Sequence, residues 1–287
     1  MMASNVSRDV SQDQSSVVQT CKPWYAFATV AAGRFVRFAS RVTKHGGSAL
    51  PGKVVEKIDP GFLTRTLGQL PLGVVLVSGT NGKTTTTYLL KAMLEGCLHT
   101  KVGLIGTNQN LIGEESLPAH RTTPESYEVQ ELLREMADAG CTHVVMEASS
   151  HALVLHRLDG IPFRAGIFTN LTQDHLDFHV TMENYCDAKA ILFRNCGVGV
   201  VNGDDPWTPR LLKDATCQVR TYGVKSEADL RAENVVLSAD GIAFDAVTKT
   251  ERVPVQVNIP GGFMVYNTLD VLGAALALGI PLKDSAA

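Results

Sequence analysis

The chain has 287 residues, 45% of them hydrophobic and 19% charged, which is ordinary globular composition and enough for one large or two modest domains around a real core. Its formal net charge of -3 gives no basis for a nucleic-acid partner, so any anion site must be local. Six scattered cysteines (Cys21, Cys97, Cys141, Cys186, Cys196, Cys217) form no C-x-x-C pair, which suggests neither a zinc site nor a disulfide framework and fits a reducing cytoplasm.

Residues 1–22 are Ser/Gln/Asp-rich and read as a disordered tail rather than a signal peptide. Residues 23–72 read as a helical segment and linker. Its mostly apolar run before Arg34 is too short to span a bilayer. Arg34, Arg37, Arg41 and Lys44 would form one basic stripe on a helix, either a solvated face or a contact with an anionic membrane surface. HGGSALPG (45–52) is flexible punctuation.

At Gly73 the pattern changes. GVVLVS predicts a strand, GTNGKT a loop, and Leu89, Leu90, Met93 and Leu94 a helix. Glycines in such a loop let backbone N–H groups close on phosphate oxygens, and the following helix points its positive end at the same anion. Gly79, Thr80, Asn81, Gly82, Lys83, Thr84 and Thr85 are therefore the expected nucleotide-binding residues, with Lys83 on the outer phosphates and the Thr84 hydroxyl on Mg2+. The spacing is shorter than the usual G-x-x-x-x-G-K-[ST], and the bland alternative is a glycine turn before an ordinary helix.

Further apolar runs alternate with helical patterns: VGLIGT, a helix over 126–139, HVVMEAS, AGIFTN, a helix near 184–195, and VGVVN. The expected fold is α/β, a mostly parallel sheet of the P-loop type flanked by helices, with ligands beyond the carboxyl ends of its strands. A small β-hairpin region with a turn at Asp240–Gly241 and an Ala/Leu-rich helix over 266–278 follow.

Two strand ends carry chemistry. Glu147, closing HVVMEAS, would be costly to bury alone; Mg2+ shared with Thr84 would compensate it, and the alternative is a structural hydrogen bond or salt bridge. TNLTQDHLDFH packs two His and two Asp into eleven residues, and His175 is the expected second-metal ligand, the alternative being a hydrogen-bonding loop residue. Read by itself, Lys189 is a surface helix lysine.

GTNGKTTT, HRTTPES, MEASSHAL, GIFTNLTQDHLDFH, YCDAKAILF and VNGDDPW together resemble the central ATPase domain of the Mur ligases, most of all the UDP-MurNAc-tripeptide synthetases, over roughly residues 73–282. The resemblance implies an ATP-dependent ligase of peptidoglycan precursor synthesis, with a central domain over 73–287. By that resemblance Lys83, Lys189 and His175 are catalytic; Thr84, Glu147, His175 and Lys189 hold Mg2+; and Lys189 is carried as a carbamate. Thr122, Thr123, Ser149 and Arg157 would grip the UDP-MurNAc-peptide, an amino acid would be the second substrate, and Asn267 would contact adenine.

Three features depart from that pattern. Residues 1–72 lack the family's uridine-binding motifs, and the stretch from Gly47 into the loop resembles instead the ATP-using subunit of the stem-peptide amidating enzyme, without its zinc ribbon. Met264 stands where the family usually has Asn. The chain stops where the family's C-terminal domain is expected, so the expectation is a truncated ligase or a nucleotide-binding module completed by a protein partner. A polyglutamate-adding ligase shares the loop but fits TTPES and DHLDFH less well.

Overall fold

The computed structural model describes residues 57–68, 70 and 73–286, with isolated positions 28, 31, 32, 35, 36 and 54. The expected disordered tail and the basic stripe lie outside the described residues. In chain order the elements are α1 (Phe62–Leu67), β1 (Gly73–Ser78), α2 (Lys83–Leu98), β2 (Lys101–Ile105), β3 (Gln109–Ile112), β4 (Glu115–Pro118), α3 (Ser126–Asp138) and β5 (Cys141–Ala148). Next come α4 (Ser150–Val154), β6 (Phe163–Phe168), α5 (Leu176–His179), α6 (Met182–Ala190), β7 (Cys196–Asn202), α7 (Thr208–Leu211) and β8 (Gln218–Gly223). The last are β9 (Leu230–Leu237), β10 (Ile242–Val247), β11 (Arg252–Val257), α8 (Phe263–Ala277) and α9 (Leu282–Ser285).

Among the described residues these strands form one sheet in the order β11-β10-β9-β8-β7-β6-β1-β5-β2-β3-β4. The centre, from β2 to β9, is parallel, and both flanks are antiparallel hairpins. β1 is an unbroken apolar run because both its faces are covered. Val74 and Leu76 pack with α3 residues Val129, Leu133 and Met136 on one side. Val75 and Val77 pack with Leu90 and Leu94 of α2 and Leu269 and Leu272 of α8 on the other. A Cβ at Gly273 would lie 2.7 Å from Val200 Cγ1, so this glycine lets α8 approach β7 closely.

The parallel strands and the helices over 126–138 and 263–277 stand where the apolar periodicity puts them. The C-terminal hairpin is no separate appendage, since β9–β11 extend the same sheet. The helix expected over 184–195 is shorter: α6 ends at Ala190 and a 3-10 turn covers Ile191–Arg194. The β3–β4 hairpin and β8 escape the sequence pattern, because QNLI and ESLP are short and QVRTYG mixes polar with apolar residues.

Candidate active site: the phosphate loop and its surroundings

β1 lies between β5 and β6, where the chain reverses its direction of strand addition, and the crevice at such a point receives the ligand. The loop 79–82 leaves β1 there. A Cβ at Gly79 would fall 1.9 Å from Thr169 Oγ1, and Gly82 has φ +86 with Asn267 Oδ1 2.5 Å from any Cβ. Only glycine fits at either place. The loop is tied to the segment after β6: Thr80 N–H donates to Asn170 O (2.8 Å), Asn81 N–H to Asn170 Oδ1 (3.0 Å), and the Thr169 hydroxyl to Asn81 O (2.6 Å).

Two lysines converge on this loop. Lys83 Nζ donates to the carbonyls of Gly79 (2.9 Å) and Thr80 (2.8 Å), and Lys189 Nζ donates to the same Gly79 oxygen (2.8 Å). Lys189 is only 1% exposed, with its ammonium 4.6 Å from the centre of the Tyr185 ring. This corrects the residue-level reading of a surface lysine: α6 turns that face inward against the loop. Burial, and then the charge of Lys83, push the Lys189 amine well below its ordinary value, with Asp174 opposing. Burial also lowers Lys83, against the pull of Glu147 and Asp174.

Glu147 is fully buried at the end of β5. It accepts from the Thr84 hydroxyl (3.1 Å), the Thr107 hydroxyl (2.9 Å) and the Thr107 N–H (3.0 Å). A carboxylate and a hydroxyl meeting beside a phosphate loop are hard oxygen donors of the kind that suits Mg2+ completed by phosphates and water. Among the described residues no three His, Cys, Asp or Glu side chains cluster as a ready-made metal site, so substrate oxygens would have to supply part of the shell.

His175 is half-exposed, in the left-handed region (φ 52), with its ring against Asp174 (3.5 Å). It meets His151 edge to face (ring centres 5.1 Å apart) and Tyr185 (5.9 Å), whose hydroxyl reaches Thr80 Oγ1 (3.3 Å). His175 therefore stands one ring away from Lys189, and no hydrogen bond joins it to Glu147 or Thr84 among the described residues.

The expected substrate residues lie beyond Glu147. The Thr122 and Thr107 hydroxyls lie 3.1 Å apart, extending a hydroxyl path from Thr84 through Glu147. Thr123 is 1% exposed; its hydroxyl donates to Glu147 O (3.0 Å) and accepts from Ser149 N–H (3.0 Å). Arg157 Nη1 donates to Thr123 O (3.1 Å), and the guanidinium pairs with Glu125 (3.3 Å). The Ser149 hydroxyl caps α4 through Ala152 N–H. The four residues are thus gathered, with Thr123 buried among the others.

On the other side of the loop, Asn81, Gly82, Lys225, Phe263, Tyr266 and Asn267 line a cleft of about 470 Å3. Asn267 Nδ2 donates weakly to Met264 Sδ (3.7 Å), so Met264 steadies the amide from the core. The wall is fixed by Asp204, which accepts from the N–H groups of Val224 (2.7 Å) and Ser226 (2.7 Å) and from the Tyr266 hydroxyl (2.9 Å). Burial alone would raise this carboxyl, but those donors outweigh it and hold the group down at about 2.

Sequence reasoning did not single out Thr107, Asp174, Tyr185 or Asp204. All four stood inside quoted stretches, Asp174 in GIFTNLTQDHLDFH, Asp204 in VNGDDPW, Tyr185 in YCDAKAILF and Thr107 in VGLIGT, but nothing in those stretches says what folds beside them.

The pattern described as Mur ligase middle domain matches residues 77–275. The chain belongs to the Mur ligase family. It is 49% identical over 210 residues to the UDP-N-acetylmuramoyl-L-alanyl-D-glutamate--2,6-diaminopimelate ligase of Clostridium botulinum (strain ATCC 19397 / Type A), covering 73% of this chain and 43% of that protein. A Clostridium acetobutylicum protein named as ligase 1 of the same kind is 49% identical over 212 residues, 74% of this chain and 44% of its own length. A solved structure of a ligase of that name superposes with a TM-score of 0.68 at 29% identity, covering 79% of this chain and 49% of the other. This Mur ligase family member thus spans under half the length of those two curated relatives. They lend nothing to the amidating-subunit likeness. Among the described residues, no helix is long and apolar enough to cross a membrane.

Proposed function

We propose that this chain is the ATP-binding core of an amide ligase of peptidoglycan precursor synthesis, joining a diamino acid such as 2,6-diaminopimelate to UDP-MurNAc-L-Ala-D-Glu. The observation that carries the reading is the convergence of Lys83 and Lys189 on Gly79 beside a buried Glu147 bonded to Thr84. A carboxylate and two lysine amines packed around a phosphate loop are of use chiefly when phosphate and metal arrive between them. Residues 73–287 are read as the central ATP-binding domain.

In this reading the acceptor carboxylate attacks the γ-phosphate of ATP, giving an acyl phosphate and ADP. The amine of the incoming amino acid then displaces phosphate and closes the amide. Lys83 exchanges its two loop carbonyls for phosphate oxygens and neutralises the charge of the transferring group. Mg2+, held by Thr84 and Glu147 with His175 and a carbamylated Lys189 toward a second ion, would supply electrophilic charge at the same group. The depressed amine of Lys189 supports the carbamate, because only a neutral amine adds CO2. Thr122, Ser149 and Arg157 orient the UDP-MurNAc-peptide with Thr123 as their anchor, and the cleft beside Asn267 takes the adenine.

Phosphate release from ATP, with Mg2+, UDP-MurNAc-dipeptide and diaminopimelate, tests this beside a Lys83→Ala control. Amide product that disappears in the control establishes a ligase complete in this chain. ATP binding without product favours the second reading, a nucleotide-binding module that a partner protein completes. Absence of ATP binding defeats both.

A further inference from the structure

Away from the loop, a separate cavity of about 190 Å3 opens between β8, the start of β9, the β10–β11 turn and the C-terminal half of α8. It shares no lining residue with the nucleotide cleft. Its base is apolar, formed by Leu230, Leu276 and Leu282 among others. Arg220, in the middle of β8, points into it from the face that also carries Tyr222.

Arg220 differs from its neighbours. Arg231 pairs with Glu227 (3.0 Å) and Glu233 (3.1 Å), and Arg252 pairs with Asp245 (2.9 Å). The Nε of Arg220 is shielded from solvent without any hydrogen-bond partner, and its guanidinium has no ion pair among the described residues. A shielded donor left unpaired is destabilising unless something else satisfies it.

The rim carries the opposite charge. Asp229 and Glu251 both line the cavity. Asp229 spends one oxygen, Oδ2, on the Thr221 N–H (2.9 Å) and hydroxyl (3.2 Å), which leaves Oδ1 available. The Glu251 carboxylate has no hydrogen bond or ion pair among the described residues, although its backbone anchors the turn to Thr248.

One cation inside two acids repels a simple anion at the rim and a simple amine at the floor. A zwitterion satisfies both ends. The volume falls below the roughly 300–1,000 Å3 of sites for drug-sized ligands, so the occupant is a single small molecule. We propose that this cavity binds a free aliphatic α-amino acid, its carboxylate on Arg220, its ammonium at Asp229 and Glu251, and its side chain against Leu276 and Leu282.

The test is an amide-resolved NMR titration of the full chain with L-valine, and with two analogues of the same shape: 3-methylbutanoate, which lacks the ammonium, and 2-methylpropylamine, which lacks the carboxylate. Valine is expected to saturate shifts at Thr221, Leu230 and Leu276 in the millimolar range, each analogue binding at least about tenfold more weakly, as loss of one charge-assisted contact predicts. Arg220→Gln is expected to weaken valine by a similar factor. Unsaturable shifts with valine, an analogue that binds as tightly, or full affinity in Arg220→Gln would each overturn the proposal. Should Arg220→Gln fail to fold, the analogue comparison on the unaltered chain and the exposed rim variant Glu251→Gln decide it, the latter expected to weaken valine severalfold.

Discussion

The middle of the sheet and its β9–β11 flank treat charge in opposite ways. Around β1, Glu147, Lys189 and Asp270 are withdrawn from solvent with few partners each. On the flank, Arg231, Arg252, Glu233 and Asp245 form a ladder of ion pairs open to water. A solvated pair contributes little and is screened by salt, whereas a buried charge imposes a cost that only a ligand, a partner or a change of protonation offsets. The contrast separates titratable groups held at a cost in the packed centre from charges left in water on the flank.

The strongest way to break that contrast is Lys189→Met. Activity is expected to fall by at least about 100-fold in the phosphate-release assay, the scale of losing one preorganised electrostatic group. Stability is expected to move the other way. The folded-state pKa of Lys189 is lowered, so the unfolded chain binds more protons, and the wild-type gains stability as pH rises toward the ordinary lysine value near 10.4. The variant should therefore melt higher at pH 7, with the gap closing as pH rises. A variant less stable at pH 7 would show that the contact with Gly79 outweighs burial.

Asp270 sharpens the same point without chemistry. It lies wholly buried in α8, accepts from the Thr86 hydroxyl (3.3 Å), and burial lifts its carboxyl to about 7 despite hydrogen bonds from Tyr222 and Thr86. The folded state then holds a proton that the unfolded state releases near pH 4, so stability falls as pH rises from about 4 to 7, by at most on the order of 4 kcal/mol. Asp270→Asn cannot ionise and should remove that decline. Urea midpoints at pH 5 and pH 8 check it, and parallel wild-type and variant curves would refute it.

Gly82→Ala comes next. Left-handed backbone and the collision with Asn267 Oδ1 predict about 1–3 kcal/mol of lost stability. Weaker ATP binding, read by calorimetry, should accompany it; unchanged affinity would mean that the loop adapts. The smallest effect is expected from Arg252→Ala on the flank, where the melting temperature at physiological salt should not move beyond measurement error. A clear drop there would erase the distinction between the two regions.

Much of this was legible in the residues. Alternating apolar runs announce a parallel sheet because strands covered on both faces must be continuously apolar, and Gly-Lys-Thr after such a run announces a phosphate loop. Glu147 was legible as a strand-end acid that needs compensation. Lys189 was legible only through family resemblance, since nothing in YCDAKAILF distinguishes a buried lysine from an exposed one. The resemblance also implied a substrate role for Thr123, whose hydroxyl is buried between Glu147 and Ser149 in the structure.

The sequence by itself determined the periodicities, the glycines that admit the loop, and the residue types able to meet phosphate and metal, because these follow from local backbone geometry and side-chain chemistry. Only the tertiary structure decided that Lys83 and Lys189, 106 positions apart, share the Gly79 carbonyl. It likewise decided that Thr107 and Thr84 meet on Glu147, and that the Nε of Arg220 is left without a hydrogen-bond partner among the described residues. Those outcomes depend on which strands become neighbours and how far each side chain is withdrawn from water, and both are properties of the packed sheet rather than of any one stretch of chain.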